Sequence, residues 1–281
     1  MKETKELTGI YQASGRGFGF LIPEEGEDCF IPPRADGGAW NGDKVTARIT
    51  EEDPEAGRRV AKVVQVLERA NKTVTGVLER RDHALWLKPD NERLPGPIQV
   101  FTKRKGVRPG ERAAVAMTSF GGGRTAPMGT LRERFGPADR RESAVEAILY
   151  THDIVRAFPP AVLAETETIP QAVEPSALAG RLDLRGKTII TIDGASSKDF
   201  DDAVSLEKDD QGRWVLGVHI ADVSHYVRPG TPLDLEAWER GTSVYFADQV
   251  VPMLPVELSN GICSLNPHVD RLALSCIMTM D

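Results

Sequence analysis

Four aspartates, Asp193, Asp199, Asp201 and Asp202, lie close together and are the residues of this sequence best suited to chemistry. They are carried by Thr188-Ile-Ile-Thr-Ile-Asp-Gly-Ala-Ser-Ser-Lys-Asp-Phe-Asp-Asp202, whose β-branched run from Thr188 to Ile192 predicts a buried strand ending on Asp193. A turn over Gly194 to Ser197 and a returning strand from Asp199 would set Asp199 and Asp201 on one face, beside Asp193. Carboxylates packed that closely raise one another's pKa, and they do not all ionise unless a cation neutralises them. An all-oxygen set suits a hard ion such as Mg²⁺, commonly held by carboxylates together with a substrate phosphate. The chemistry indicated is phosphoryl transfer. Two other readings compete with it. Isolated Asp-rich loops are usually solvated turns, and Asp-Phe-Asp-Asp also matches the protonating motif of some terpene cyclases, although those are all-helical and this string is flanked by strand patterns.

Composition sets the frame around that loop. With 281 residues and 40% hydrophobic content, the chain is long enough for two or three domains of ordinary soluble character. Cys29, Cys263 and Cys276 are far apart without metal-type spacing, which predicts reduced thiols. Met1-Lys-Glu-Thr-Lys-Glu-Leu lacks a signal-peptide core and no apolar run reaches transmembrane length, so a cytoplasmic protein without a membrane partner is expected. The net charge of -7 is unevenly spread: residues 1–55 carry 6 basic and 12 acidic side chains, 56–112 carry 14 and 6, 113–192 carry 9 and 9, and 193–281 carry 6 and 15. A basic middle module can grip a polyanion and pass it to metal-filled carboxylates in the acidic last one, unless both are merely solvated faces.

Short strands and turns fill the first part of the chain: Gly9-Ile-Tyr-Gln-Ala, Gly17-Phe-Gly-Phe-Leu-Ile, Cys29-Phe-Ile and Lys44-Val-Thr-Ala-Arg-Ile. Alternation sends Phe18 and Phe20 to one face, where with Phe30 they either stack on bases or fill a core. The module recurs. Thr8-Gly-Ile returns as Thr75-Gly-Val, and Asn41-Gly-Asp-Lys-Val-Thr-Ala as Pro109-Gly-Glu-Arg-Ala-Ala-Val, which predicts a second barrel from about Val74 to Ser119. That barrel has Trp86 and Phe101 in place of the phenylalanine pair, and basic residues suited to phosphate, among them Lys103, Arg104 and Lys105. Gly121-Gly-Gly-Arg reads as a flexible joint, Arg140 to Phe158 as a helix stopped by Pro159-Pro160, and Pro170 to Ala179 as linker with a short helix. After the aspartates come a strand from Trp214, a helix over Pro232 to Arg240, and a last strand from Leu272 to Met280. His219 and His225 read as structural, since Mg²⁺ prefers oxygen.

Gly15-Arg-Gly-Phe-Gly-Phe-Leu-Ile and Asp28-Cys-Phe-Ile-Pro-Pro resemble the two aromatic RNA-binding strands of a cold-shock domain, a five-stranded OB-type barrel, without the histidine and further aromatic of its second motif. From Ile192 onward the chain resembles the opening part of the catalytic domain of the RNase II/RNase R (RNB) family of exoribonucleases. The resemblance rests on Thr191-Ile-Asp-Gly-Ala-Ser-Ser-Lys-Asp-Phe-Asp-Asp-Ala, His219-Ile-Ala-Asp-Val-Ser-His-Tyr-Val, Arg240-Gly-Thr-Ser-Val-Tyr-Phe, Val251-Pro-Met-Leu-Pro and Leu258-Ser-Asn-Gly-Ile-Cys-Ser-Leu-Asn-Pro. The paired barrels point to its RNase R branch.

The resemblance implies a mainly β chain with an α+β part. A first OB or cold-shock-like domain is expected at 1–72, a second at 73–120, a linker and helical segment at 121–187, and the beginning of an RNB nuclease domain at 188–281. It further implies Mg²⁺ ligands at Asp193, Asp199 and Asp202, a hydrolysis-critical Asp201, and Tyr245 stacking on the 3′-terminal nucleotide. Phe18, Phe20, Phe30, Lys103, Arg104 and Lys105 would bind single-stranded RNA. The implied activity is processive 3′-to-5′ hydrolysis to nucleoside monophosphates, in association with the ribosome or RNA-decay machinery. The family's domain goes on to supply an essential arginine, a second stacking aromatic and another OB-type domain, so the chain is expected to be part of something larger and inactive, or nearly so, alone. The rival expectation is a non-catalytic RNA-binding or RNA-chaperone protein.

Overall fold

The two matching strings, Thr8-Gly-Ile and Thr75-Gly-Val, have the same structural cause. A Cβ on Gly9 would collide with the Ile22 carbonyl, and one on Gly76 with the Lys88 carbonyl, so each glycine lets its strand press against the next one as the sheet curls. The computed structural model describes residues 5–53, 58–122 and 125–280. It divides into two compact units, one ending at Ile154 and the other starting at Val155.

In the first unit, β1 (Glu6–Ala13), β2 (Gly19–Pro23), β3 (Cys29–Ile31), β4 (Lys44–Asp53) and β5 (Arg58–Glu68) close a barrel in the order β1-β2-β3-β5-β4. Pairing is antiparallel except between β3 and β5. Alternating side chains deliver Tyr11, Leu21, Ile31, Val45, Ala47 and Val63 to the interior. A second barrel, of β6 (Thr73–Arg81), β7 (Ala84–Pro89), β8 (Ile98–Phe101), β9 (Glu111–Ser119) and β10 (Met128–Pro137), repeats the order with its one parallel contact between β8 and β10. Two OB-type barrels are therefore present. The second extends beyond residue 120, because its closing strand is β10. Arg132, Glu133 and Arg134 interrupt the alternation there, and β10 pairs with β9 through register shifts, so the fifth strand has little period-two signal. The expected joint at Gly121 is the connection between β9 and β10, bridged by Gly122 and Thr125; Gly123 and Arg124 lie outside the described residues.

The expected helix over 140–158 is shorter. Helix α1 (Arg141–Thr151) packs on β10, β9 and β6 through Val145, Ala147 and Leu149, while Ile148 faces outward. Pro160 does not end it. That proline is the first residue of α2 (Pro160–Thr168), where its missing N–H costs no hydrogen bond.

The second unit is built on an antiparallel sheet in the order β11 (Asp202–Lys208), β12 (Trp214–Ala221) and β15 (Ala273–Met280), beside a short ribbon of β13 (Val244–Tyr245) and β14 (Val250–Val251). Between β12 and the ribbon come α3 (Val223–Tyr226) and α4 (Pro232–Arg240), the latter capped by Thr231 accepting from the Asp234 N–H. Strands β13 and β14 pair, a π-helical turn covers Glu257–Ile262, and β15 follows. Val162, Leu233, Leu258, Ile262 and Cys263 form the core that holds α2, α4 and the π-turn together.

Two expectations about the aspartate segment need correction. Thr188 to Ile192 is not a buried strand: it is extended chain with a single bridge, Ile190 to Val204, and Ile192 is 82% exposed. β-Branched residues favour extension, but burial requires a covering layer that they do not themselves provide. The returning strand begins at Asp202, so Asp199 and Asp201 belong to the loop before it.

Candidate active site

The single bridge is what draws the aspartates together. The Ile190 N–H donates to the Val204 carbonyl at 3.0 Å and the Val204 N–H to the Ile190 carbonyl at 2.8 Å, closing a loop that carries Asp193 on one arm and Asp202 on the other. Within it, the Ser197 N–H donates to the Gly194 carbonyl at 3.0 Å, turning the chain after Asp193. The return arm is fixed by partners outside the loop. Asp201 offers its carbonyl to the Ala221 N–H at the end of β12 (2.9 Å), and Phe200 offers its own to the Leu265 N–H (2.9 Å).

One of these carboxyls is perturbed by the others. The Asp201 carboxyl is held above the usual carboxylate range, first by partial desolvation and then by the negative charges of Asp199, Asp202 and Asp193. The four acids thus share one electrostatic neighbourhood, as their spacing suggested. Among the described residues, no group of three or more His, Cys, Asp or Glu side chains is drawn into a tight cation cage. Side chains that offer only oxygen are the donor type a hard divalent cation takes, and Asp193, Asp199 and Asp202 are the candidates of that type in this loop. Tyr245 is placed beside them: its hydroxyl donates to Asp199 Oδ2 at 2.8 Å, and the residue is 64% exposed at the end of β13. That hydrogen bond to an anion is the main reason its hydroxyl pKa is raised.

The two histidines near the loop differ in how firmly they are held. His219 is buried with Nε2 3.0 Å from Ser205 Oγ and Nδ1 2.8 Å from Ser275 Oγ, tying β11, β12 and β15 together, while His225 sits edge-on to Tyr226. In the first unit, Phe18, Phe20 and Phe30 form neither a core nor a flat stack. Their rings meet at 5.6 to 5.9 Å, tilted or edge-on, with Phe20 37% exposed, as a cluster on the barrel surface. Lys103, Arg104 and Lys105 are exposed in the loop after β8, close in sequence to Phe101, which is itself exposed. Trp86 is half-buried and its indole N–H donates to the Arg81 carbonyl at 3.3 Å, so it is a poorer platform than its aromatic type suggested.

Two important residues escaped the sequence reading. Asp43, noticed only inside a repeated string, is fully buried and accepts from the Trp40 N–H (2.8 Å), the Ala70 N–H (3.0 Å) and the Arg69 guanidinium (2.7 Å). Ser264, quoted only within Leu258-Ser-Asn-Gly-Ile-Cys-Ser-Leu-Asn-Pro, is fully buried against the aspartate loop. A polar residue directly after Ile262-Cys263 was the one hint available.

Comparison with known proteins agrees with this layout. Residues 181–281 match the RNB domain, residues 9–66 the ribonuclease B OB domain, and residues 86–159 the cold shock domain. The chain is 41% identical to Ribonuclease R of Acidithiobacillus ferrooxidans over 279 residues, covering 98% of this chain and 63% of that protein. The solved structure of Mycoplasma genitalium RNase R in complex with ribose methylated single-stranded RNA superimposes with a TM-score of 0.82 at 26% identity, over 98% of this chain and 44% of that one. Yeast Ssd1, a pseudonuclease, shares the fold at a TM-score of 0.68 and 18% identity, over 98% of this chain and 41% of that one. The chain therefore spans less than two thirds of each of these relatives.

Proposed function

We propose that this chain, similar to ribonuclease R along nearly all of its length, carries the RNA-gripping and cation-holding parts of a Mg²⁺-dependent exoribonuclease. The enzyme would hydrolyse single-stranded RNA processively from the 3′ end to nucleoside 5′-monophosphates in the cytoplasm; ribosome or RNA-decay machinery would be its partner. The observation that carries this reading is the loop closed at Ile190 and Val204, where the Asp201 carboxyl feels the charges of Asp199, Asp202 and Asp193 while Asp199 receives the Tyr245 hydroxyl.

Asp193, Asp199 and Asp202 would hold Mg²⁺, which when bound supplies a Lewis acid and lowers the pKa of coordinated water. Asp201, its carboxyl already less acidic than usual, is suited to accept a proton from the attacking water and to orient it. The exposed ring of Tyr245 would stack on the last base, and its hydroxyl fixes which way Asp199 Oδ2 points. Phe18, Phe20 and Phe30 would take bases of the incoming strand, and Lys103, Arg104 and Lys105 its phosphates.

The chain alone would be inactive or nearly so, so the test is a 5′-labelled single-stranded RNA incubated with Mg²⁺ and a full-length protein containing this chain, wild-type or Asp201→Asn, with RNA affinity measured in parallel. Stepwise loss from the 3′ end, abolished by the substitution at unchanged affinity, supports the reading. RNA binding with neither hydrolysis nor Mg²⁺ binding favours the second reading, a non-catalytic RNA-binding protein. Two observations keep that reading in play: the carboxylates form no tight cage among the described residues, and a pseudonuclease shares the fold.

A further inference from the structure

Asp199 is the one candidate ligand whose backbone is bracketed on both sides by a single side chain. Ser264 Oγ accepts from the Phe200 N–H at 3.0 Å and donates to the Lys198 carbonyl at 2.8 Å. Only a group that both donates and accepts can do this from one atom, and a hydroxyl is the smallest that does. The serine is fully buried, and its backbone is fixed from behind. Its N–H donates to the Gly261 carbonyl at 3.1 Å, its carbonyl accepts from Arg271 Nε at 2.8 Å, and the preceding Cys263 lies in the core with Leu258 and Ile262. Next in the chain, the Leu265 N–H meets the Phe200 carbonyl at 2.9 Å. The segment from Lys198 to Phe200 is therefore laid along a rigid rail, which aims Asp199 toward Tyr245 and delivers Asp201 to its anchor on Ala221.

We propose that Ser264 is a positioning residue of the aspartate site: its hydroxyl sets the direction of Asp199 and Asp201 and so tunes divalent-cation affinity. The proposal rests on reading the four aspartates as a cation site. Ser264 touches neither the cation nor RNA in this role. Its removal leaves the carboxylates in place but no longer held in one arrangement, and losing a hydrogen bond that orients a ligand lowers metal affinity by roughly 10–100-fold.

The probe is Mn²⁺ alone, titrated into the full chain and followed by electron paramagnetic resonance, so that the result does not depend on turnover. Ser264→Ala is expected to weaken Mn²⁺ binding by roughly 10–100-fold while metal-free affinity for single-stranded RNA stays unchanged. Leu258→Ala, which damages the same core without touching the loop, is expected to lower the melting temperature and leave Mn²⁺ affinity in place. If Ser264→Ala fails to fold, Ser264→Cys, similar in size but a weak hydrogen-bonding group, provides the measurement and is expected to show a smaller loss of the same kind. A folded Ser264 variant with wild-type Mn²⁺ affinity overturns the positioning role, provided that Asp193→Asn abolishes binding. Failure of the wild-type chain to bind Mn²⁺, or indifference of binding to Asp193→Asn, overturns the cation site itself, and the role of Ser264 with it.

Discussion

Asp43 and Asp201 are the same residue type treated in opposite ways. Asp43 is fully buried, yet two backbone N–H groups and the Arg69 guanidinium satisfy it, and its pocket is dedicated to holding one negative charge. Asp201 lies at the surface with its carboxyl partly desolvated and three other acids as its charged neighbours, and desolvation first and those charges second push it toward the neutral form. A carboxylate surrounded by donors is architecture, whereas one surrounded by carboxylates is in the setting that the proposed function assigns to a cation. His219 is the second unit's counterpart of Asp43, since both ring nitrogens have serine hydroxyl partners and it holds three strands in register.

The contrast can be broken most directly by exchanging charge for its neutral shape. In a full-length protein containing this chain, Asp201→Asn is expected to take RNA hydrolysis below detection while the melting temperature stays level or rises, because a repulsive charge has been removed; undiminished turnover would reverse the assignment of roles. Asp43→Ala is expected to do the opposite, costing about 3–5 kcal/mol by urea unfolding, because two backbone N–H groups and an arginine lose their partner. Replacing both Phe18 and Phe20 with alanine should weaken single-strand RNA binding by roughly 1–3 kcal/mol per stacked base without lowering stability comparably, as the rings lie outside the core. Unchanged binding would return them to a packing role.

The smallest effect concerns pH. Burial holds the His219 pKa below the ordinary imidazole value, so the folded state prefers the neutral ring. The stability gained this way is complete above the unfolded-state pKa of about 6.5 and is lost as pH falls through the lower folded value. Melting temperature measured from neutral to mildly acidic pH, wild type against His219→Asn, isolates this contribution. A difference between the two that does not change with pH would show that His219 is not a satisfied neutral group of the Asp43 kind.

How much of this could be read from sequence follows from how local each determinant is. Helix α4 and strand β12 were legible because capping, proline placement and period-two alternation lie within the segments themselves. The aspartate neighbourhood was legible because short-range spacing confines its members. The buried strand expected over Thr188 to Ile192 was misread because burial depends on what lies above it. Strand β10 was missed because charged residues and register shifts blur its alternation. Ser264 was out of reach altogether, since its partners lie 64 and 66 residues away in the chain and a single serine carries no periodicity.

Trp40 belongs to the first barrel by sequence and to the second by packing. Its indole sits among Val74, Leu87, Ile98 and Val115, edge-on to Phe120 at 5.0 Å, and Arg69 lies 4.2 Å over the same phenylalanine ring while it holds Asp43. A cut in the link between β5 and β6 would leave one half with a bare indole and the other with a hole where it had been. Anyone dissecting this region into separately expressed pieces should therefore keep the tandem whole, because the smallest self-sufficient unit is the pair.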